Sequence, residues 1–304
     1  MVETFQQDLS HGMTLSCRAT GTPGQPVLMF LHGFPEAAFV WDTLLEHFAK
    51  PENGGYRCIA PNLRGFEKSS SPTEVNAYRV KFLMQDIAAL IAIETADSGN
   101  QLECLIAHDW GGAVAWGMAN HMAHLMKKLT IINSPHTGTF IRELSNNPKQ
   151  QAASAYMNFL VRPDSEKYLV KNDFNLLFGF FANAGAETGE FAWLTPAMKQ
   201  KYRDIWSTGL TGGCNYYRAS PLRPPTDADK GAAGTDIPHN LLTVDVPTLV
   251  IWAMNDVALP PELIEGLDDY IPKLTLRKVH NSTHWIIHEQ PQLVIGYLQD
   301  FLNQ

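Results

Sequence analysis

Short, unbroken apolar runs alternate with longer stretches of helical period along most of this chain, and that alternation is the tightest constraint on its fold. Residues 26–31 read Pro-Val-Leu-Met-Phe-Leu, apolar at every position, as suits a strand covered on both faces. Similar runs stand at 56–60, 102–107, 129–132, 247–252 and 274–279. Between them the period changes. Residues 75–94 place Val80, Phe82, Leu83, Ile87, Leu90 and Ile91 on one helical side, and 112–126, 261–270 and 291–302 also read as helices. Strands alternating with helices predict a mostly parallel sheet with helices on both faces.

The alternation stops at about residue 138 and resumes at about 241. The intervening stretch is rich in aromatic residues, reads as helices and loops, and ends in a connector, Ser220-Pro221-Leu222-Arg223-Pro224-Pro225 and Lys230-Gly231-Ala232-Ala233-Gly234. The simplest division is a core of 1–137 and 241–304 with a helical cap inserted at 138–240. Such an insertion can cover the C-terminal edge of the sheet, where open α/β sheets place their sites.

Composition removes several classes of function. The 304 residues carry a formal charge of −8, which disfavours partners that need a cationic face, nucleic acid among them. No apolar run approaches the roughly 20 residues needed to cross a bilayer. The first residues, Met-Val-Glu-Thr-Phe-Gln-Gln-Asp, have neither the basic start nor the apolar stretch of a signal peptide. Cys17, Cys58, Cys104 and Cys214 are far apart and fit no CxxC spacing, so buried free thiols in a cytoplasmic protein are expected.

Four segments can carry chemistry. In Leu105-Ile106-Ala107-His108-Asp109-Trp110-Gly111-Gly112 a strand ends, small residues flank Asp109 two positions to either side, and a helix begins. Small flanks permit the tight strand-to-helix turn that lifts the central side chain clear of the sheet. Asp109 there is a candidate nucleophile, or else a helix N-cap. The chain has no G-x-S-x-G, so a serine esterase lacks an obvious nucleophile. The loop Phe30-Leu31-His32-Gly33-Phe34-Pro35 follows a buried strand and can aim a backbone N–H at a developing oxyanion, or form an ordinary Gly-Pro turn. Asp256 follows the strand-like run at 247–252, where a triad acid or a turn residue would sit. His284 lies in the loop after the last strand-like run.

His280, His284 and His288 are four apart, the spacing of metal ligands on one helical face. Asn281-Ser282-Thr283 argues for a loop that breaks that face, so no metal is expected. Thr211-Gly212-Gly213 lacks the Lys-Ser/Thr of a phosphate loop, and His121 and His124 read as surface or packing residues.

Taken in order, oxyanion loop, elbow Asp, acid and histidine each follow a strand. This order resembles that of the α/β-hydrolases. His32-Gly33-Phe34-Pro35-Glu36 with Trp41, His108-Asp109-Trp110-Gly111-Gly112, and His284-Trp285 ahead of His288-Glu289-Gln290-Pro291 resemble the epoxide-hydrolase and dehalogenase branch. That resemblance implies two cap tyrosines. It points to Tyr156, in Ala155-Tyr156-Met157-Asn158-Phe159-Leu160 ahead of Pro163, and to Tyr217, in Asn215-Tyr216-Tyr217-Arg218. It also implies that Asp109 forms an alkyl ester, that His284 with Asp256 activates a water, and that the N–H groups of Phe34 and Trp110 hold the oxyanion. No cofactor is required, and the partners expected are an uncharged hydrophobic epoxide and water.

A haloalkane or haloacetate dehalogenase uses the same Asp-His-Asp set. Haloalkane dehalogenases often place Asn where Phe34 stands, and haloacetate dehalogenases place arginines where Trp110 and Ala113 stand. A hydrolase-fold receptor without catalysis is the remaining alternative.

Overall fold

The computed structural model describes residues 1–304. One eight-stranded sheet runs through it: β1 (Glu3–Asp8), β2 (Thr14–Thr20), β3 (Val27–Leu31), β4 (Arg57–Pro61), β5 (Leu102–His108), β6 (Met126–Ile132), β7 (Thr248–Ala253) and β8 (Leu274–Val279), in the order β1-β2-β4-β3-β5-β6-β7-β8. β3 to β8 are parallel. β1 and β2 add an antiparallel edge, with β2 pairing β4. Every residue of β3, β4 and β7 is buried, which explains why their sequences lack alternation; Arg57, at the start of β4, is the one charged residue among them and pairs with Glu3 and Glu94. The β1–β2 edge escapes the sequence reading. β1 is a polar edge strand, Glu-Thr-Phe-Gln-Gln-Asp, held by backbone pairing to β2 rather than by burial of its own side chains.

The helices of the core are α1 (Asp42–Phe48), α2 (Val80–Glu94) and α3 (Asp109–His121) before the insertion. Those of the insertion are α4 (Thr137–Asn146), α5 (Pro148–Ala153), α6 (Ala155–Leu160), α7 (Ser165–Leu169), α8 (Lys171–Ala182), α9 (Pro196–Trp206) and α10 (Thr211–Ala219). α11 (Ile286–Glu289) and α12 (Pro291–Leu302) close the core. α1 packs with α12, and α2 with α3, so helices cover both faces of the sheet.

Three helices differ from the sequence expectation. Residues 75–94 are not continuous: a 3₁₀ turn, Val75–Tyr78, stops at Arg79, whose ψ of 139° is extended, and α2 starts afresh. Residues 261–270 form two 3₁₀ turns divided by Gly266, whose φ of +73° an α-helix does not accept. The helix expected at 112–126 begins earlier, at Asp109, and ends at His121.

Seven helices lie between β6 and β7, yet they have no core of their own. Phe181, Tyr202, Trp206, Tyr216 and Tyr217 belong to the same buried apolar cluster as the sheet residues Leu28, Ile106 and Val250. Backbones of insertion and core approach closely at Gly65 and Gly212, where a Cβ on either glycine would run into the other's backbone. Thr211-Gly212-Gly213 is thus a packing device, with Gly213 lying against the Phe34 ring. No helix is long and apolar enough to cross a membrane.

Candidate active site

The turn from β5 into α3 holds Asp109 at φ +48°, a conformation costly for a residue with a Cβ. Its surroundings leave the turn no alternative. A methyl at Gly111 would sit 2.5 Å from the Leu31 carbonyl oxygen and 2.6 Å from that of His32. A Cβ at Gly112 would overlap Ser134, and one at Gly33 would overlap Asp109 itself. Ser134 Oγ donates to the Asp109 carbonyl at 2.7 Å, tying the turn to the end of β6.

The two carboxylate oxygens of Asp109 have different surroundings. Oδ1 accepts the Phe34 N–H at 2.7 Å. Oδ2 lies 3.8 Å from His284 Nε2, beyond hydrogen-bond reach. His284 Nδ1 meets Asp256 Oδ2 at 2.6 Å, so Nδ1 carries a proton and Nε2 is left to gain or lose one. Burial works against a charged His284, but Asp256, then Asp109 and Glu36, outweigh it and push its pKa up to about 9. Asp256 is fully enclosed. Burial alone would raise its carboxyl, yet facing His284 it is held below the usual range.

Asp256 is held by more than His284. Its Oδ1 accepts the N–H groups of Ala258 and Leu259, both at 2.9 Å, and its Oδ2 accepts Asn133 Nδ2 at 2.7 Å. Asn133, itself at φ +39°, also accepts the Ala253 N–H at 2.9 Å. Sequence reasoning missed Asn133 and Ser134. The signal was there, a polar pair directly after the strand-like run at 129–132, one strand over from the elbow.

The insertion brings Tyr156 on α6 and Tyr217 on α10 over the same cavity as Asp109 and His284. Their ring centres are 6.1 Å apart, and Tyr217 also packs edge-on to Phe34 and Trp110 at 5.4 and 5.1 Å. Burial raises both phenols, and the Asp109 charge raises them further, so each hydroxyl keeps its proton beside the carboxylate. The rest of the lining is mostly apolar: Phe34, Phe180 and Trp285 on one side of Asp109, and Met157, Phe140 and Leu259 on the other.

The three histidines spaced four apart go to different places. His280 is exposed, His284 faces Asp109, and His288 Nε2 pairs with Glu36 Oε1 at 2.6 Å. Glu36 is buried, and the Tyr202 hydroxyl also donates to its Oε1 at 2.8 Å. Burial opposes its ionisation, but His288 and His108 hold its carboxyl far below the usual range. His108 Nε2 donates to the His284 carbonyl at 2.9 Å, joining this buried group to the loop that carries His284. His121 and His124 are exposed. The four cysteines are buried and free, and burial pushes the thiols of Cys17, Cys58 and Cys104 up to about 12 and that of Cys214 up to about 11.

A family model described as the alpha/beta hydrolase fold matches residues 26–291. The AB hydrolase superfamily protein YfhM of Bacillus subtilis is 32% identical over 298 residues, 96% of each chain. Epoxide hydrolase 4 of Mus musculus is 29% identical over 303 residues, 96% of this chain and 77% of that one. Among solved structures, an epoxide hydrolase of Bacillus megaterium bound to an inhibitor superposes with a TM-score of 0.86 at 26% identity, covering 99% of this chain and 100% of that one. One of the epoxide hydrolases from metagenomes of hot environments superposes at 0.85 with 34% identity, covering 99% of each.

Proposed function

The chain belongs to the α/β-hydrolase fold family and is epoxide-hydrolase-like along nearly its whole length, and on that premise we propose that it opens hydrophobic epoxides to vicinal diols through an ester on Asp109. The observation that carries the reading is one cavity lined by a carboxylate nucleophile, a histidine base and two protonated phenols.

The two environments of the Asp109 oxygens assign the roles. Oδ1 is occupied by the Phe34 N–H, so Oδ2 attacks the oxirane carbon. The C–O bond of the ring breaks, and the departing alkoxide takes a proton from Tyr156 or Tyr217. A carboxylate suits this step because it is ionised at neutral pH and leaves an ester that water can cleave. Esterification removes the Asp109 charge, one of the causes that keep His284 protonated, so its pKa falls below 9 when its proton must be shed. Neutral His284 Nε2 then takes a proton from water. The hydroxide adds to the acyl carbon, and the oxyanion forms on Oδ1, against the N–H of Phe34 and that of Trp110, the residue after the nucleophile. Collapse expels the diol oxygen, which takes the proton from His284, and the acid proton left on Asp109 passes to the tyrosinate, which restores both the carboxylate and the phenol. The helical insertion serves as the lid, and the buried free thiols suit a cytoplasmic enzyme.

The test is a trapped intermediate. His284→Gln exposed to styrene oxide should gain the mass of one epoxide on Asp109, and Asp109→Asn should lose steady-state turnover. Epoxide turnover retained by Asp109→Ala would refute the ester. A rate comparison of styrene oxide, 1-chlorobutane and fluoroacetate separates epoxide opening from dehalogenation.

A further inference from the structure

The insertion meets the core along the segment that follows β7, and three of its side chains fasten that seam. Lys149 Nζ pairs with Glu262 Oε1 at 2.7 Å, and Arg142 donates to the carbonyls of Glu262 and Glu265 at 3.0 and 2.9 Å. Both cations are exposed, and contacts of that kind hold weakly. The third side chain, Gln150 on α5, is 1% exposed.

Gln150 Nε2 donates in two directions, to Ser154 Oγ at 2.8 Å and to the Ala258 carbonyl at 3.1 Å. Each partner stands two residues from a group of the proposed site. Ser154 is the residue from which α6 starts, and Tyr156 lies in the first turn of that helix. Ala258 follows Asp256 by two and gives its N–H to Asp256 Oδ1 at 2.9 Å. The Ala258 carbonyl accepts from no other group of the chain. Ala153, Tyr156 and Ala258 line the cavity at Asp109, whereas Gln150 does not reach it.

Packing alone does not select an amide at this position. Gln150 Oε1 is enclosed and meets no donor of the chain. Burying an unpaired carbonyl is costly, and a methionine would fill the same length without that cost. What methionine lacks is the N–H that Ser154 and the Ala258 carbonyl accept.

We propose that Gln150 is a positioning residue, whose amide joins the helix of Tyr156 to the loop of Asp256 and so sets the phenol against the Asp256–His284 pair. This rests on the epoxide reading and deepens it. Ring opening draws on Tyr156, ester hydrolysis draws on His284, and one buried amide keeps the two in register. Gln150 touches no substrate, so its loss acts on the rates of both steps and leaves substrate affinity alone.

The experiment is Gln150→Met, read in two ways. By amide hydrogen exchange, Ala258 and Leu259 should exchange roughly tenfold faster or more, while Ala253, whose N–H is held by Asn133, keeps its protection. A general loss of stability would speed all three alike. With styrene oxide, the single-turnover rates of ester formation and ester hydrolysis should each fall roughly five- to twentyfold, with substrate affinity held within about twofold. On a Tyr156→Phe background the same substitution should slow ester formation by less than about threefold, because the group it positions is gone. Ser154→Ala releases the amide from α6 alone and serves if Gln150→Met fails to fold: ester formation should slow, and exchange at Ala258 should stay as it was. Lys149→Ala, which breaks the exposed pair on the same seam, should change neither rate nor exchange. Unchanged exchange at Ala258 and Leu259 in Gln150→Met, an undiminished rate of ester formation in Ser154→Ala, or an effect of Gln150→Met equally large with and without the Tyr156 hydroxyl would overturn the proposal. If no epoxide is turned over, the epoxide reading falls, while the exchange rates still decide whether Gln150 holds the Asp256 loop.

Discussion

The sheet core and the helical insertion both contribute side chains to the proposed active site, but they hold them by different means. In the core, Asp109, Asp256 and His284 sit on short turns directly after β5, β7 and β8, and backbone contacts fix them: the crowded glycines at 33, 111 and 112, and the N–H groups of Phe34, Ala258 and Leu259. In the insertion, Tyr156 and Tyr217 are placed by helices that depend on the core for their own burial. Its attachments are side chains reaching down: Trp206 Nε1 to the Pro35 carbonyl at 2.7 Å, Tyr216 to the Arg64 carbonyl at 2.9 Å, and Tyr202 to Glu36. The insertion also contains a kink, with Asn172, Asp173 and Phe174 all at positive φ. The proposed nucleophile, acid and base are thus held by backbone, and the proposed proton donors by packing.

The largest effect expected from breaking the core side is Asp256→Asn. It leaves His284 without its charge partner and should lower kcat by about 10³–10⁴. The same variant has a signature in stability. His284 has a folded pKa of about 9 against an ordinary 6.5. Its protonated form therefore favours the native state, fully so below pH 6.5, and that contribution is lost as pH rises to about 9. Thermal denaturation should show stability declining by something on the order of 2–4 kcal/mol across that window. Asp256→Asn should flatten the decline.

Gly111→Ala sharpens the contrast next. Its methyl meets two backbone carbonyls that cannot turn aside, so a loss of about 3 kcal/mol or failure to fold is expected in denaturant titrations. The matching Gly212→Ala clash lies between insertion and core, and should cost activity more than it costs the denaturation midpoint.

Tyr217→Phe should slow ester formation by about 10²-fold, read as loss of the pre-steady-state burst, with little change in stability. If it instead destabilises the protein as much as Gly111→Ala, the tyrosine is a packing residue. The smallest effect belongs to Tyr202→Phe, which removes one donor from the buried Glu36 and should cost about 1–2 kcal/mol.

The contrast also explains what could be read from residue order. Asp109, Asp256 and His284 each follow an apolar run that announces itself, and the turn chemistry needed there demands particular small neighbours. Tyr217 was reached through a compact motif, Asn-Tyr-Tyr-Arg, and Tyr156 through a looser one. Both line the cavity. Asn133 and Ser134 went unread because their role lies in partners far along the chain: Asn133 serves Asp256, 123 residues away. β1 went unread because an edge strand needs pairing more than burial. The three-histidine spacing makes no shared face, and the reason was legible: Asn281-Ser282-Thr283 lies in the turn before α11.

Residue order by itself determined the parallel part of the sheet, the interruption, and the place of Asp109, Asp256 and His284 at strand ends, since burial on two faces and a strained turn both leave local marks in composition. Only the tertiary structure decided how the surroundings of the two Asp109 oxygens differ, what holds Asp256, and that Tyr156 and Tyr217 line the cavity beside them. Those facts depend on distances between segments remote in the chain, set by how the insertion packs on the sheet, and no local pattern encodes them.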